Sequence, residues 1–536
     1  MKQFFRRKLM IFLKQRSLIP AFTQLLLGVA LFFAFGSWAM GSAIGSSPDE
    51  DHVLTTIWCG KHAANLREAP ILRINRESTK FDGGVKPATE FCRYDPNNYK
   101  YHLIPSLVAV PQQCYLGAGQ DTSASCQERL RETTVRKYFE SAVDTNYIIA
   151  VRIFVSPDVE SSVVKMRLLN SFLAAILIVV ASAFFWKKNS DLLLAWLAVI
   201  SPVTTFFIGS VNTSSWTLMG TTCFTLAFIG ALKNRKHVKI WLPAGVLALF
   251  ALWFTNSSRN EGKYVILLLA AAILYSEFVP KSFKLTKKSI LIGSAILPVF
   301  YLIFQYFSKP FGVVNIFNDY RVEVSEGVTT TANNLLVNNI ITLPRFITGF
   351  FGSWGLGWFE LELTQTVWLF TLQAFLLVTG FALIKSTNIH RLIFGALFVT
   401  MCAAILFANQ QKFGKIGEYI QPRYFLPFFL GIVIIAAANK TERYPNSLVI
   451  TVAILATISN SIALRDTIRR YTTGQDVFIS KSLNNPIEWW WQFGPQPETV
   501  WLTGTLAFAA LWALLIYDRN KNEVDAPNSP APELTS

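Results

Sequence analysis

Three acidic side chains in a row, Asp49, Glu50 and Asp51, follow Pro48 just beyond the chain's first long apolar run, 18–40. A carboxylate held at a membrane surface can take a proton from a hydroxyl or bind a hard divalent cation. An extended segment would turn Asp49 and Asp51 to the same side, which suits one base beside a stabiliser or two ligands of a shared cation. A solvated acidic cap at a helix or loop start is the competing reading. Candidate cations lie elsewhere in the chain. Arg423 opens a late apolar run in Gln421-Pro422-Arg423-Tyr424, where a guanidinium can hold a phosphate by two parallel hydrogen bonds. Arg259 and Lys263 flank the ends of another pair of runs. Each of these can instead be an interfacial anchor that reaches toward lipid headgroups. Arg321 and Arg345 carry the same signal more weakly. Trp489-Trp490-Trp491 can stack on a sugar ring, but an aromatic belt at the membrane interface is the plainer expectation. His52, His62 and His102 show no metal-ligand spacing. A divalent cation held by Asp49 and Asp51 stays open.

The elements that must position these residues are set by composition. Of 536 residues, 52% belong to the set AVILMFWYC and 15% are charged, against about 25% charged in an ordinary soluble domain. Phe contributes 44 residues and Trp 15, and the mean hydropathy is +0.37. A soluble core stops growing near roughly 250–300 residues, so this apolar mass excludes a soluble enzyme, a disordered chain and a small disulfide scaffold. The chain reads as an all-α polytopic membrane protein. Its net charge of +16 is the usual result of basic residues retained at cytoplasmic ends of spans, and nucleic acid is not an expected partner.

Runs of about 20 apolar residues fall at 18–40, 166–186, 191–209, 215–232, 240–256, 263–279, 290–308, 366–384, 392–408, 423–438, 447–463 and 500–517, which predicts about twelve transmembrane helices. The first follows Lys2, Arg6, Arg7, Lys8, Lys14 and Arg16 and reads as an uncleaved signal-anchor. Lys187 and Lys188, the 233–239 turn, the 281–288 turn, Lys385 with Arg391, and Lys440 with Arg443 are the basic connections, whereas 210–214 and 257–262 hold only Arg259. The asymmetry places both termini in the cytoplasm. The resulting layout is a cytoplasmic N-terminus (1–17), the first helix (18–40), an extracytoplasmic loop domain (41–165) and helices two to seven (166–308). A second external loop with a surface helix (309–365), helices eight to eleven (366–463), a third loop (464–499), the last helix (500–517) and a disordered cytoplasmic tail (518–536) complete it. A further short external connection spans 409–422. Long connections gathered on one face mark a working face. Within it, Gly349–Gly357 is the stretch expected to form the re-entrant or surface-lying helix.

Cys59, Cys92, Cys114 and Cys126 all lie in the first external segment, while Cys223 and Cys402 fall in apolar runs. Four cysteines in a non-cytoplasmic loop predict two disulfides in one of three pairings; no close pair suited to zinc occurs.

Four segments in order carry a family resemblance. Pro48-Asp49-Glu50 resembles the opening of a PDEPxHF signature, and Ser201-Pro202 through Gly209-Ser210-Val211-Asn212 resembles a P…GSVNPD segment. Gly355-Leu356-Gly357-Trp358-Phe359-Glu360 resembles LGWLD, and Gln421-Pro422-Arg423-Tyr424-Phe425-Leu426-Pro427 resembles QGRYLLP. These belong to the bacterial predicted-membrane-protein family called domain of unknown function 2142, and the resemblance runs over about 20–515. The chain departs from the pattern in three places: Val53 stands where the signature has His, Ser214 where it has Asp, and Glu360 where it has the last Asp.

That family is similar in layout to the GT-C class of polytopic glycosyltransferases, which use polyprenyl-phosphate sugars and an acid in the first external loop. The resemblance implies a GT-C-like fold in the bacterial cytoplasmic membrane, with Asp49 first and Glu50 second as catalytic base. Arg423, Tyr424, Arg259, Lys263 and Glu360 are the expected substrate contacts. The implied activity is transfer of a hexose or pentose from a polyprenyl-phosphate donor to an envelope glycan, lipid or protein acceptor. No cofactor beyond a divalent cation is suggested. No phosphate-binding loop, dinucleotide fingerprint or nucleophile elbow is present, so an energy-rich donor must reach the outside already made. A transporter or flippase of lipid-linked saccharides is the main alternative; a glycan polymerase or ligase is another.

Overall fold

The computed structural model describes residues 18–64, 102–109, 114–115, 123–131, 134–137, 145–156, 158–184, 191–278, 321–325, 328–475 and 482–524. In chain order the helices begin with α1 (Leu18–Gly41), α2 (Glu50–Ala64), α3 (Ser106–Ala109), α4 (Cys126–Arg131), α5 (Asn146–Val151) and α6 (Val159–Ala183). They continue with α7 (Asp191–Val199), α8 (Pro202–Ile208), α9 (Thr213–Lys233), α10 (Val238–Asn256), α11 (Gly262–Phe278) and α12 (Ala332–Gly349). The last five are α13 (Gln365–Ile384), α14 (Asn388–Gln411), α15 (Leu426–Ala438), α16 (Asn446–Thr473) and α17 (Pro497–Val524). The only strands among the described residues form two antiparallel pairs, β1 (His102–Pro105) with β2 (Thr134–Lys137) and β3 (Arg321–Ser325) with β4 (Val328–Thr331). The all-helical expectation holds for the body of the molecule.

Eight helices among the described residues are long and apolar enough to cross a membrane. They are most of α1, then α6, α9, α10, α13, α14, α16 and most of α17. The expected span 191–209 is not one rod. α7 and α8 meet at 93°, because Pro202 cannot donate into the preceding turn and bars Ser201 from the helical region. Ser201 instead caps α8 through its side chain, which accepts from Thr204 N at 3.3 Å. α15 has 13 residues, below the length of a full straight span, and α11 has 17 up to the last described residue of its stretch. The expected span 290–308 lies outside the described residues, as do 1–17 and Cys92. Two boundaries move outward: α16 runs ten residues past the predicted 463, and α17 continues to Val524 into the predicted tail.

The turns between helices separate into two ends. At one end Asp191 accepts from Lys440 Nζ at 2.5 Å and from Arg519 Nη1 at 2.9 Å. Lys233 donates to Ala438 O and Lys385 pairs with Glu442 at this same end. Of the basic connections picked out by charge asymmetry, Lys233, Lys385 and Lys440 thus share one end of the bundle, whereas Lys187, Lys188 and the 281–288 turn lie outside the described residues; the acids and arginines of the candidate site lie at the other end.

At that second end the stretch 350–357 is not a helix. It turns, with left-handed glycines Gly352, Gly355 and Gly357, and its chain closes on itself where Leu356 N donates to Leu361 O at 2.9 Å. The amphipathic helix is the preceding one, α12, which buries Leu335 and Phe346 and exposes Val337, Ile340 and Ile341. The tryptophan triplet is not an interfacial belt either: Trp489 and Trp491 are buried, and Trp491 Nε1 donates to Met40 O at 2.8 Å. In the first loop a disulfide joins Cys114 to Cys126.

Candidate functional site

The site is built on the eight residues, 42–49, that lead from α1 to α2. Arg167, on α6, donates through Nη1 to Ala39 O at 3.2 Å and to Ser42 O at 2.6 Å, and through Nη2 to Ala43 O at 2.8 Å. Gln127 holds Ile44 O at 3.0 Å and Trp358 holds Gly45 O at 2.8 Å. Asn212 Nδ2 and Arg423 Nη1 share Pro48 O, at 2.7 and 3.0 Å. Five of the eight carbonyls of this segment, those of Ser42, Ala43, Ile44, Gly45 and Pro48, are met by side-chain donors from other parts of the chain. Such satisfied buried networks fix one backbone course. Asn212 reaches Pro48 because its own Oδ1 caps α9 on Ser214 N at 2.8 Å. The α8–α9 corner reaches it because Gly209 lies on the α1 backbone: an added Cβ there would stand 2.8 Å from Ala39 N.

The segment ends at Asp49, which takes φ +67° and immediately precedes α2. A left-handed φ is tolerated by Asp and Asn better than by most residues, and it turns Asp49 away from its two acidic neighbours. The extended alternation expected of Asp49 and Asp51 is therefore absent: Glu50 and Asp51 form the first turn of α2, and both are buried. Among the described residues no group of three or more His, Cys, Asp or Glu is arranged to hold a metal ion.

Glu50 faces inward. Its carboxylate pairs with Arg167 at 2.9 Å, both side chains are 0% exposed, and Val211 N donates to it at 3.0 Å. The expectation that Glu50 shares the catalytic role is corrected by this placement, since a carboxylate enclosed on both oxygens cannot meet an acceptor hydroxyl. It is the pillar beneath Asp49.

Asp49 faces outward. Its side chain is 47% exposed, and its Oδ2 lies 2.6 Å from Arg423 Nη2, whose own side chain is 2% exposed. Arg423 packs over Phe207 at 5.3 Å and donates to Tyr424 Oη at 2.9 Å. Its Nε–H is buried with no hydrogen-bond partner among the described residues. Arg259 also lies over the Tyr424 ring, at 4.5 Å, and donates to Ser214 Oγ at 3.1 Å. Lys263 instead lies over Tyr264 at 5.2 Å, one turn away. Of the predicted contacts, Asp49, Arg423, Tyr424 and Arg259 converge and Lys263 does not join them.

A pocket opens beside Arg423. Pro48, Val203 and Phe207 form one wall, Gln421 and Pro422 the floor beside Gly349, and Trp354 with Gly355, Leu356, Gly357 and Phe359 the other wall. All four segments singled out in the sequence thus meet here, the third as wall rather than as a charged contact. Glu360 points behind that wall. It accepts from Tyr471 Oη at 3.0 Å, one of its oxygens is buried without a partner, and Gly357 passes so close that a Cβ would stand 2.4 Å from it. Glu360 is a brace of the wall and not a contact with the pocket.

Burial raises the Glu360 carboxyl to about 7, only partly offset by the nearby Arg470. A carboxyl whose folded value lies above its unfolded value favours the protonated folded state, so stability is unaffected below the unfolded value and falls as pH rises through about 7. Melting temperature should accordingly drop between pH 5 and pH 8, and Glu360→Gln should flatten that slope. A wild-type slope that survives in Glu360→Gln would assign it to another group.

Arg167 and Tyr471 were not among the predicted site residues. The signal for Arg167 was present: an ionisable side chain at the edge of an apolar run needs a named partner, and Glu50 is the one it has. No curated protein and no solved structure matches the chain significantly. A family model described as a predicted membrane protein (DUF2142) matches residues 32–432, and this chain, a multi-pass helical membrane protein, belongs to that family.

Proposed function

We propose that this chain is a membrane glycosyltransferase of GT-C type, acting at the outer face of a bacterial cytoplasmic membrane. It transfers one sugar from a polyprenyl-phosphate donor to a hydroxyl of an envelope glycan, lipid or protein. The observation that carries this reading is the contact of the half-exposed Asp49 carboxylate with the buried Arg423 guanidinium beside an open pocket.

In the reaction, the bond between the anomeric carbon and the phosphate oxygen breaks and its electron pair stays on the lipid phosphate. The acceptor oxygen forms the new bond to that carbon, and its proton passes to Asp49. Arg423, with Arg259 over the Tyr424 ring, faces the charge that collects on the departing phosphate. Trp354 and Phe359 offer apolar ring surface on the pocket wall for the faces of a sugar.

Proteoliposomes holding the full chain, a polyprenyl-phosphate donor with a labelled sugar and an envelope fraction test it. The wild type should move label into the acceptor, and Arg423→Gln should lower the rate by about 10²–10³-fold, the usual cost of removing one such donor. Equal rates in the two proteins remove the phosphate clamp. Movement of the intact labelled donor across the bilayer, without cleavage, would make the chain a flippase.

A further inference from the structure

We propose that Asp49 and the phosphate of the incoming ligand exchange places on one edge of Arg423, so that arrival of the phosphate is what releases the base. For its ligand the proposal rests on the glycosyl-transfer reading.

Arg423 is an anion site half used. Its Nε–H and Nη2–H lie along the same edge of a planar, five-donor fork. Nη2 is shared by Asp49 Oδ2 at 2.6 Å and Tyr424 Oη at 2.9 Å, while the buried Nε–H has no partner among the described residues. A buried donor left unmade is costly, and a tetrahedral phosphate presents two oxygens at the spacing of that edge. The guanidinium itself is fixed, by Pro48 O at 3.0 Å and by the Phe207 ring at 5.3 Å. What can move is the carboxylate. Its side chain is 47% exposed and Arg423 is its one partner among the described residues, so it can turn to water at small cost. Glu50, one residue on, is held at 0% exposure by Arg167 and cannot take part. With both Nη2 hydrogens engaged, by Asp49 and by Tyr424, a phosphate seated on Nε and Nη2 has to displace a partner, and the half-exposed carboxylate is the one free to turn away. With phosphate absent, the Asp49 carboxylate is engaged by Arg423. With phosphate seated on Nε and Nη2, Asp49 is released within a side chain's length of the leaving group and can accept a proton.

Binding of farnesyl phosphate and of inorganic phosphate to the full-length protein in nanodiscs tests the exchange. Asn accepts the left-handed backbone of position 49, so Asp49→Asn should keep the fold. It removes the competing anion and should bind farnesyl phosphate about fivefold more tightly than wild type, in line with the loss of one ion pair. Arg423→Gln should weaken binding at least about tenfold. Tightening with farnesyl phosphate alone assigns the site to a lipid headgroup, and tightening with both probes assigns it to phosphate from either source. Equal or weaker binding by Asp49→Asn, or no binding by any of the proteins, overturns the proposal. Tighter binding in a chain whose wild type transfers no sugar would keep the exchange and reject the transferase, whereas sugar transfer with equal affinities would reject the exchange alone.

Discussion

Arg167→Met should destabilise the protein by about 3–5 kcal/mol, the range for breaking a buried ion pair from one side. The change strands the Glu50 carboxylate at 0% exposure, with only Val211 N and Ser47 N left to hold it. It also removes the donors that meet Ala39 O, Ser42 O and Ala43 O, so the loss reaches the whole segment that ends at Asp49. Adding Glu50→Gln to Arg167→Met removes the stranded charge and should recover part of the stability. It cannot recover all of it, because all three carbonyls still lack their Arg167 donor, Ala43 O keeping only Ser46 N at 3.4 Å. Thermal unfolding of the purified protein in detergent reads both effects. An unchanged midpoint for Arg167→Met would mean that the segment is held in place by its other donors alone.

How much of this arrangement was legible beforehand depends on the kind of signal. Asp49 and Arg423 stood out because each is a charged residue at the end of an apolar run, and hydropathy shows that directly. Their meeting is a tertiary fact carried by α6, α8 and α9, which no spacing in the sequence announces. Glu50 and Asp49 look alike as neighbours in a chain; what separates them is the left-handed turn at Asp49, which sends one carboxylate out and the other in toward Arg167. Hydropathy also has no direction, so the 191–209 run scored as a straight span although Ser201-Pro202 carried the break in plain view. Trp489 and Trp491 misled for a related reason. An aromatic cluster beside a span satisfies a belt and a buried plug equally well, and the choice was made by the unmet Met40 carbonyl at the end of α1. Gly349–Gly357 has the amphipathic character of a re-entrant or surface-lying helix, but three left-handed glycines dictate a turn.

The wall built from that turn also accounts for the placement of Glu360. Its backbone is tied by Gln475, which donates to Glu360 O, and its side chain by Tyr471. These contacts fasten the pocket to the end of α16. They sit beside the Cys114–Cys126 loop, where Arg470 lies over the Tyr115 ring at 5.7 Å. The pocket is thus framed by elements separated by several hundred residues in the chain.

The largest effect on activity should come from Asp49→Asn. The amide cannot accept the acceptor hydroxyl's proton, yet it preserves size, backbone preference and a hydrogen-bonding oxygen toward Arg423. Losing a positioned general base costs about 10²–10⁴-fold, and the loss should appear in the turnover rate while the donor still binds. The decisive measurement is single-turnover transfer of labelled sugar from a polyprenyl-phosphate donor by wild type and Asp49→Asn, each saturated with donor. The account predicts a rate lower by at least about 10²-fold in the variant; transfer at the wild-type rate by donor-saturated Asp49→Asn would contradict it.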